Sequence, residues 1–234
     1  MSNPSEHPTH HPHPQPQGAP PLNSSQAQFW DERYASLPWA YGQEPNDFLR
    51  QEVDALRTTW GHFKGRRALC LADGEGRNGV YLAQLGFEVT SLDFSAQARK
   101  KALQWAQTCG VALQYTLMDL NDYDFNSNDS LALEAVGKSW DLIVAIFFQP
   151  SKPTRERLYA GLNQALSAQG HFILETKHER SSPESERYPG LATLVRDIEP
   201  LLLVTGQECA RELNEGTYHQ GMHEVTQLHA KKMA

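Results

Sequence analysis

The chain of 234 residues has few cysteines: Cys70, Cys109 and Cys209, with no Cys-x-x-Cys pair. An odd, widely spaced set argues against a disulfide framework or a metal site, and it is typical of proteins from a reducing cytosol. The sequence also has no apolar run long enough to cross a bilayer. We therefore expect a cytoplasmic protein with no membrane partner.

Basic residues are in the minority, because 21 Lys and Arg stand against 28 Asp and Glu and give a formal net charge of -7. Nucleic-acid-binding proteins take much of their affinity from a basic stripe that neutralises phosphates. Lys and Arg are scattered here, so we predict no nucleic-acid partner. Nothing in the sequence indicates the oligomeric state.

The first segment, residues 1–28, is poor in apolar groups and rich in proline and histidine. It has too little apolar surface to offset the chain entropy of folding, so we predict a disordered tail that is not a secretory signal. Its histidines suggest either metal binding or a solvated tail, and we favour the solvated tail. The predicted folded domain is residues 29–234.

After this tail, apolar runs alternate with stretches of helical periodicity. This alternation predicts a doubly wound α/β fold with a mostly parallel sheet. Two further apolar stretches near the C-terminus have no helix between them, which predicts a terminal antiparallel hairpin. The predicted strands are Arg67–Ala72, Phe87–Leu92, Ala112–Leu117, Trp140–Phe148, Gly170–Lys177, Leu201–Leu213 and His223–Ala230, the predicted helices are Asn78–Leu85, Ser95–Thr108 and Pro153–Ser167, and residues 121–138 are a predicted surface excursion.

The first predicted strand leads into the stretch LCLADGEGRNG, which contains Gly74-x-Gly76-x-x-Gly79. This spacing is the dinucleotide-binding fingerprint, in which glycines let the backbone approach a ligand and a helix N-terminus favours a negative group. Asp93 ends the next strand, where its carboxylate can accept hydrogen bonds from ribose hydroxyls. The turn and the acid together indicate an adenosine-containing ligand, without yet distinguishing NAD or FAD from others.

Three features favour an adenosine ligand other than NAD. A second acid, Asp119, ends the third strand, where it can accept from an adenine amino group with Met118 against the ring. After Phe148 only the rest of one sheet remains, so no region is left to place a substrate over a nicotinamide. The chain also closes with the predicted hairpin.

These residues resemble the class I S-adenosylmethionine-dependent methyltransferases, whose fold is a seven-stranded sheet with a reversed last strand. The resemblance covers residues 29–234 and is carried by GEGRN, SLDFS, MDL, WDLIVAIFF and ELNEGTYHQGM. The stretch FWDERY…YGQEPNDFL is similar to the small-molecule branch that includes thiopurine and tellurite-resistance methyltransferases.

The resemblance implies a Rossmann-like enzyme that uses S-adenosyl-L-methionine as cofactor and transfers its methyl group in line to a small-molecule acceptor. The cofactor-binding residues that it implies are Ala72, Asp73, Gly74, Gly76, Asp93, Phe94, Met118, Asp119, Leu120 and Ile146.

One stretch departs from the family pattern. Cys70 stands where the family has an acid that helps to hold the methionine ammonium, and Ala72 stands at its first glycine. Asp73 and Glu75 are candidates to replace that acid, although neither occupies the same position. We predict that Cys70 is an inert core thiol. The departure keeps a second interpretation open, a non-catalytic S-adenosylmethionine-binding protein, and an NAD-dependent oxidoreductase is the third.

The acceptor is predicted to lie over the end of the fourth strand, beside Phe147 and Phe148. Aromatic residues near the start of the domain either cover it as a lid or pack as core: Trp30, Tyr34, Trp39 and Tyr41. Arg33 pairs either with the cofactor carboxylate or with the neighbouring acids Asp31 and Glu32.

A general base is needed only if the acceptor nucleophile holds a proton at working pH. The candidates are His178, which follows the fifth strand beside Glu179, and Tyr218 and His219, which lie in the loop EGTYHQG of the predicted hairpin. For this loop we favour a structural role, with its glycines forming a tight turn and its histidine capping backbone carbonyls.

Overall fold

The structure is a computed structural model that describes residues 24–125, 139–179 and 187–234. Residues 1–23 of the predicted tail and residues 126–138 of the predicted surface excursion lie outside the described residues. The first helix begins at Ser24, inside the segment predicted to be tail, so the folded part starts earlier than expected.

One seven-stranded sheet runs through the molecule, with helices on both faces. The strands are β1 Arg67–Leu71, β2 Glu88–Asp93, β3 Gln114–Leu117, β4 Trp140–Ile146, β5 Leu166–Lys177, β6 Leu202–Asn214 and β7 Gln220–Lys231. The helices are α1 Ser24–Ser36, α2 Asp47–Trp60, α3 Arg77–Gln84, α4 Ala96–Thr108, α5 Lys152–Ala160, α6 Leu162–Ala165 and α7 Leu191–Asp197.

The order of the strands is β3-β2-β1-β4-β5-β7-β6. The first five strands pair in parallel, and β7 enters between β5 and β6 and runs antiparallel to both. The predicted doubly wound sheet with a reversed last strand is therefore confirmed. No helix in the described part of the chain is long and apolar enough to cross a membrane, and the cytoplasmic location stays a prediction.

Both faces of the central strands are buried, which explains why they appear in the sequence as continuous apolar runs. Along β1, Leu69 and Leu71 join the apolar cluster on one face, while Ala68 and Cys70 join the cluster on the other. Cys70 is buried, and burial raises the pKa of its thiol. The predicted core position of this thiol is confirmed, and its inertness stays a prediction.

The predicted helix Pro153–Ser167 is interrupted at Gly161 and ends two residues earlier than expected. Helix α5 ends at Ala160, and the short α6 leads directly into β5, whose first residue pairs with Trp140. At the break, a side chain on Gly161 would meet Phe125 at 2.8 Å, so the glycine lets the chain turn tightly against its neighbour. Helix α7 has no counterpart among the predicted elements.

The sheet has its topological switch point between β1 and β4, because the chain continues from β1 to one side and from β4 to the other. Ligands of such sheets bind at the carboxyl ends of the strands near this point. Ala72 and Phe147 directly follow the two strands, and both have a left-handed φ of 52°. This conformation costs a non-glycine residue roughly 1–2 kcal/mol and is concentrated at functional sites.

The loop between β6 and β7 packs against the segment that joins α1 to α2. A side chain on Gly216 would lie 2.5 Å from the carbonyl carbon of Tyr41 and 2.6 Å from its Cα. Gly216 also has a φ of +76°. The loop therefore needs glycine both for its backbone conformation and for its contact with the N-terminal segment.

We predict that Gly216→Ala destabilises the protein by roughly 2–4 kcal/mol, because strain at positive φ adds to overpacking against backbone that cannot move aside. Gly221→Ala is the matched control, since Gly221 has a φ of +85° but open space around it. Its expected cost is only the strain of about 1–2 kcal/mol. Urea unfolding of both variants measures the difference, and equal losses would contradict the proposed contact.

Candidate cofactor and acceptor site

A cleft of about 560 Å³ opens at the carboxyl ends of the parallel strands. It brings together most of the residues predicted for the cofactor, all five predicted for the acceptor, and two of the three candidate bases. The cofactor residues are Ala72, Asp73, Gly74, Asp93, Phe94, Asp119, Leu120 and Ile146. The acceptor residues are Trp30, Tyr34, Tyr41, Phe147 and Phe148, and the candidate bases are Tyr218 and His219.

Two of the predicted cofactor residues and one of the candidate bases do not line the cleft. A side chain on Gly76 would lie 2.6 Å from Cβ of Ala102, so this glycine makes room for helix α4 and not for a ligand. Met118 packs against the apolar cluster on one face of the sheet. His178 is buried with its Nε2 3.2 Å from the carboxylate of Glu208 on β6.

The glycine turn is clamped by contacts from three sides. A side chain on Gly74 would lie 2.8 Å from the hydroxyl of Tyr34, which approaches from α1. The hydroxyl of Tyr115 donates to the carbonyl of Gly74 at 2.6 Å, and the amide of Gly74 donates to Asp93 at 3.0 Å. The turn is therefore held in one conformation by the protein itself.

Asp93 has a rigidly held carboxylate at the end of β2. Its Oδ2 accepts the Gly74 amide, and its Oδ1 accepts the amide of Ser95 at 2.9 Å. Burial raises the pKa of Asp93 to about 6, against the effect of these backbone hydrogen bonds. A carboxylate can accept about four hydrogen bonds, so Asp93 keeps acceptor capacity for a ligand donor, as the predicted ribose role requires.

Asp73 is committed to donors within the protein. Its Oδ1 accepts the amide of Gly79 at 3.2 Å, and its Oδ2 accepts the hydroxyl of Ser91 at 2.6 Å. Burial raises the pKa of Asp73 to about 7. A side chain on Gly79 would collide with this carboxylate, so the third glycine of the fingerprint exists to accommodate Asp73.

Glu75 is likewise occupied. It forms an ion pair with Lys101 at 2.8 Å and accepts the backbone amides of Ala40 at 2.8 Å and Tyr41 at 3.2 Å. The carboxylate thus fixes the segment after α1 over the glycine turn. A direct replacement for the family acid at position 70 would need a carboxylate that is free to bind the methionine ammonium. The carboxylates of Asp73 and Glu75 already accept from donors within the protein.

The aromatic residues near the start of the domain form one wall of the cleft. Trp30 stacks on Tyr34 with 5.7 Å between ring centroids, and Tyr34 meets Tyr41 at 6.2 Å. Trp39, predicted as part of the same lid, instead packs edge-on against Trp105 at 5.9 Å and does not line the cleft.

Arg33 lies among these aromatic rings. Its guanidinium is 4.4 Å from the Tyr218 ring centroid, and its Nη1 donates to the hydroxyl of Tyr41 at 3.0 Å. The neighbouring Asp31 does not pair with it, because Asp31 accepts from the hydroxyl of Ser95 at 2.5 Å. Arg33 was predicted to pair either with the cofactor carboxylate or with a neighbouring acid. In the described part of the chain, its pairing with Asp31 is not found.

Arg33 and Lys177 lie near each other in the lining of the cleft, and Arg187 also lines the cleft. Within the described residues, none of the three forms an ion pair with a carboxylate. Burial and the nearby Arg33 guanidinium lower the pKa of Lys177. This end of the cleft is therefore a place where an anionic group is stabilised.

Two residues of the GEGRN turn have a role that sequence reasoning missed. Asn78 accepts the backbone amide of Asn46 at 3.0 Å, and Arg77 forms a buried ion pair with Glu215 at 2.6 Å. They tie the N-terminal segment and the β6–β7 loop to the start of α3. The sequence signal that could have revealed this role is the pair of polar residues, Arg77 and Asn78, in the first turn of a buried helix.

The family model described as tellurite resistance protein TehB matches residues 53–149 of this chain. The matched stretch contains the glycine turn, Asp93, Asp119 and the end of β4, which are the elements that build the cleft. This match and the fold support a class I S-adenosylmethionine-dependent methyltransferase of the TehB-like branch. The protein is thus an enzyme whose cofactor is S-adenosylmethionine.

Solved structures of low sequence identity share the fold of this methyltransferase. TehB from Haemophilus influenzae is 17% identical with a TM-score of 0.61, over 78% of this chain and 62% of that one. The N-methyltransferase NodS from Bradyrhizobium japonicum WM9, in complex with S-adenosyl-L-homocysteine, is 16% identical with a TM-score of 0.62, over 88% and 97%.

A third similar structure comes from work on the conversion of a disulfide bond into a thioacetal group during echinomycin biosynthesis. It is 14% identical with a TM-score of 0.65, over 89% of this chain and 92% of that one. This chain therefore spans less than two thirds of the Haemophilus TehB chain but nearly all of the other two. A comparison with curated protein sequences found no match.

The residues present fit the cofactor of this family. The cleft volume of about 560 Å³ falls within the usual range for small-ligand sites, about 300–1,000 Å³. The anchored carboxylate of Asp93 faces this cleft, which also has a cationic end that suits the carboxylate of an amino acid.

We predict that Asp93→Ala weakens binding of S-adenosylhomocysteine roughly 10- to 100-fold, because hydrogen bonds to a charged acceptor are lost. Isothermal calorimetry measures the affinity. Glu88→Ala, an exposed acid at the start of the same strand, is the control and should bind like the wild type. Unchanged affinity of the Asp93 variant would refute its ribose role.

The same carboxylate predicts a pH dependence of binding. The ionised form of Asp93 accepts from hydroxyls, and its pKa is about 6 in the free protein. Affinity for S-adenosylhomocysteine should therefore be constant above pH 7 and fall by up to about tenfold per unit below pH 6. Asp73 titrates in a similar range, so the test is whether the decline disappears in Asp93→Ala.

Proposed function

We propose that this methyltransferase acts on a small-molecule acceptor, which attacks the methyl group of the cofactor in line. The observation that carries the proposal is the size and enclosure of the cleft. Cofactor and acceptor share about 560 Å³, and Trp30, Tyr34 and Tyr41 wall the cleft on its N-terminal side. A macromolecular acceptor would have to reach the methyl group past this aromatic wall.

Within this cleft, we assign the ribose hydroxyls to Asp93 and the adenine amino group to Asp119. One oxygen of Asp119 accepts the amide and the side-chain nitrogen of Asn121, both at 2.9 Å, which orients the carboxylate. We assign the methionine carboxylate to Arg33 and the ammonium to the backbone at Ala72 and Phe147. The two left-handed residues at the switch point support that last assignment.

When bound, S-adenosylmethionine supplies an electrophilic methyl group, so the protein mainly has to align the acceptor and exclude water. Phe147 and Phe148 follow β4 and line the cleft there. Trp30, Tyr34 and Tyr41 line the same cleft. These apolar surfaces provide a dry site for a displacement that needs no covalent enzyme intermediate.

Calorimetry of S-adenosylhomocysteine against NADH tests the cofactor, and we expect micromolar binding of the first and none of the second. An acceptor screen then follows the conversion of S-adenosylmethionine to S-adenosylhomocysteine with small thiols, selenols, amines and oxyanions, and with peptides for comparison. Turnover with a small molecule supports the proposal. Turnover with peptides alone, or binding without any turnover, would contradict it.

A further inference from the structure

His219 occupies an unusual place in the cleft wall. Its side chain is only 7% exposed, and its ring lies 4.7 Å from that of Tyr41 and 4.3 Å from that of Phe147. Phe147 directly follows β4, where the acceptor is proposed to lie. The imidazole is therefore held rigidly beside the reaction site by two aromatic rings.

The Nδ1 atom of His219 is buried and has no hydrogen-bond partner. The nearest carboxylate oxygen of Glu215 lies 3.9 Å away, beyond hydrogen-bond distance. A histidine whose task was to cap a backbone carbonyl or complete the loop would use this nitrogen. A buried ring nitrogen without a close partner is unusual, and the group that this nitrogen faces is the Glu215 carboxylate.

The Glu215 carboxylate facing Nδ1 is fixed and ionised. It contacts Arg77 at 2.6 Å and Arg211 at 2.6 Å, and it accepts from Asn46 at 3.1 Å. Burial works against its ionisation, yet the neighbouring His219 ring and the Arg77 and Arg211 guanidiniums lower the pKa of Glu215 to about 2. Glu215 is therefore a permanent negative charge beside Nδ1.

This charge selects the tautomer of His219. A proton on Nδ1 points its positive end toward Glu215, whereas a lone pair on Nδ1 would face the same negative charge. The favoured neutral ring therefore carries its proton on Nδ1 and leaves Nε2 as the proton acceptor. Because the ring lines the cleft, the basic nitrogen is available to a bound acceptor.

We infer that His219 is the general base of methyl transfer and that the acceptor nucleophile is an atom that carries a proton at neutral pH. This inference rests on the proposed function. The acceptor class is then a thiol, a hydroxyl or an amine.

With these roles, each bond and proton of the methyl transfer is accounted for. A bond forms between the acceptor atom and the methyl carbon while the bond from that carbon to the sulfonium sulfur breaks, and its electron pair stays on sulfur. The proton of the nucleophile passes to Nε2 of His219, and the resulting imidazolium releases it to water after the products leave.

The groups around the ring support a base that works at neutral pH. Glu215 and Arg77 face it from the loop and from α3, Lys177 from β5, and Tyr41 from the N-terminal segment. Burial lowers the pKa of His219, and the two cations add to this effect against Glu215. The ring is therefore neutral and able to take a proton at pH 7.

Nitrogen-15 NMR of the histidine rings tests the tautomer without any acceptor. In the S-adenosylhomocysteine complex at pH 7.5, we expect the proton of His219 on Nδ1. His223 is an internal reference of the opposite tautomer, since its Nε2 lies 3.0 Å from the carbonyl of Gln220. Spectra of His219→Asn and His223→Asn assign the signals. A proton on Nε2 of His219, or a charged ring, would overturn the inference.

Turnover with two probe acceptors tests the catalytic role. 2-Mercaptoethanol carries a proton at pH 7, and iodide carries none. His219→Asn should slow methylation of the thiol roughly 10²- to 10⁴-fold and that of iodide by less than about threefold, because only the first needs a base. His223→Asn, at a half-buried position on β7 outside the lining of the cleft, should leave both rates unchanged.

The pH profile separates a base from a structural residue. In His219→Asn, the thiol rate should rise about tenfold per pH unit up to the pKa of the thiol itself, whereas the wild type reaches its plateau at lower pH. Equal losses with both probes would overturn the inference and leave His219 a structural residue. If S-adenosylhomocysteine does not bind the wild type at all, the proposed function fails instead. If the wild type binds S-adenosylhomocysteine but methylates neither probe, the tautomer of His219 found by NMR supports or overturns the inference.

Discussion

The carboxylate of Glu175 has no exposed surface, and it accepts hydrogen bonds from Asn46 at 2.8 Å and from Arg211 at 3.0 Å. The same two side chains contact Glu215, whose second oxygen pairs with Arg77. A buried charge is tolerated only when it is paired and hydrogen-bonded. These groups therefore link the N-terminal segment, the start of α3, the end of β5 and the β6–β7 loop. Because these segments form the walls of the cleft, the shape of the cleft depends on this network.

Much of this architecture could be predicted because its causes are local. Central strands buried on both faces appear as apolar runs, and the acids that follow two of them, Asp93 and Asp119, reach the same edge of the sheet because parallel strands end together. The terminal hairpin was visible from two strands with no helix between them. For the same reason the cleft collects residues that lie far apart in the chain, such as Tyr34 and His219.

What could not be predicted depends on partners remote in sequence. The pattern Gly-x-Gly-x-x-Gly suggests a ligand at every glycine, yet Gly76 accommodates Ala102 and Gly79 accommodates Asp73. Likewise, Arg77 and Glu215 are separated by 138 residues, and no local signal links them. The predicted helix Pro153–Ser167 ends two residues early because Leu166 pairs with Trp140 of β4, and this sheet pairing outweighs helical periodicity. The residue types in the sequence indicate which binding groups are present, whereas contacts between remote residues determine which of them face the cleft.

The cations Arg33, Lys177 and Arg187 have a consequence for the kinetics of encounter. The chain has a formal net charge of -7, so an approaching anion is repelled by the surface as a whole. Cations that line a cleft attract an anion over a short range. An anionic group is therefore drawn in only once it is near these side chains, and dissolved salt, which screens such fields over about 8–10 Å, slows its arrival.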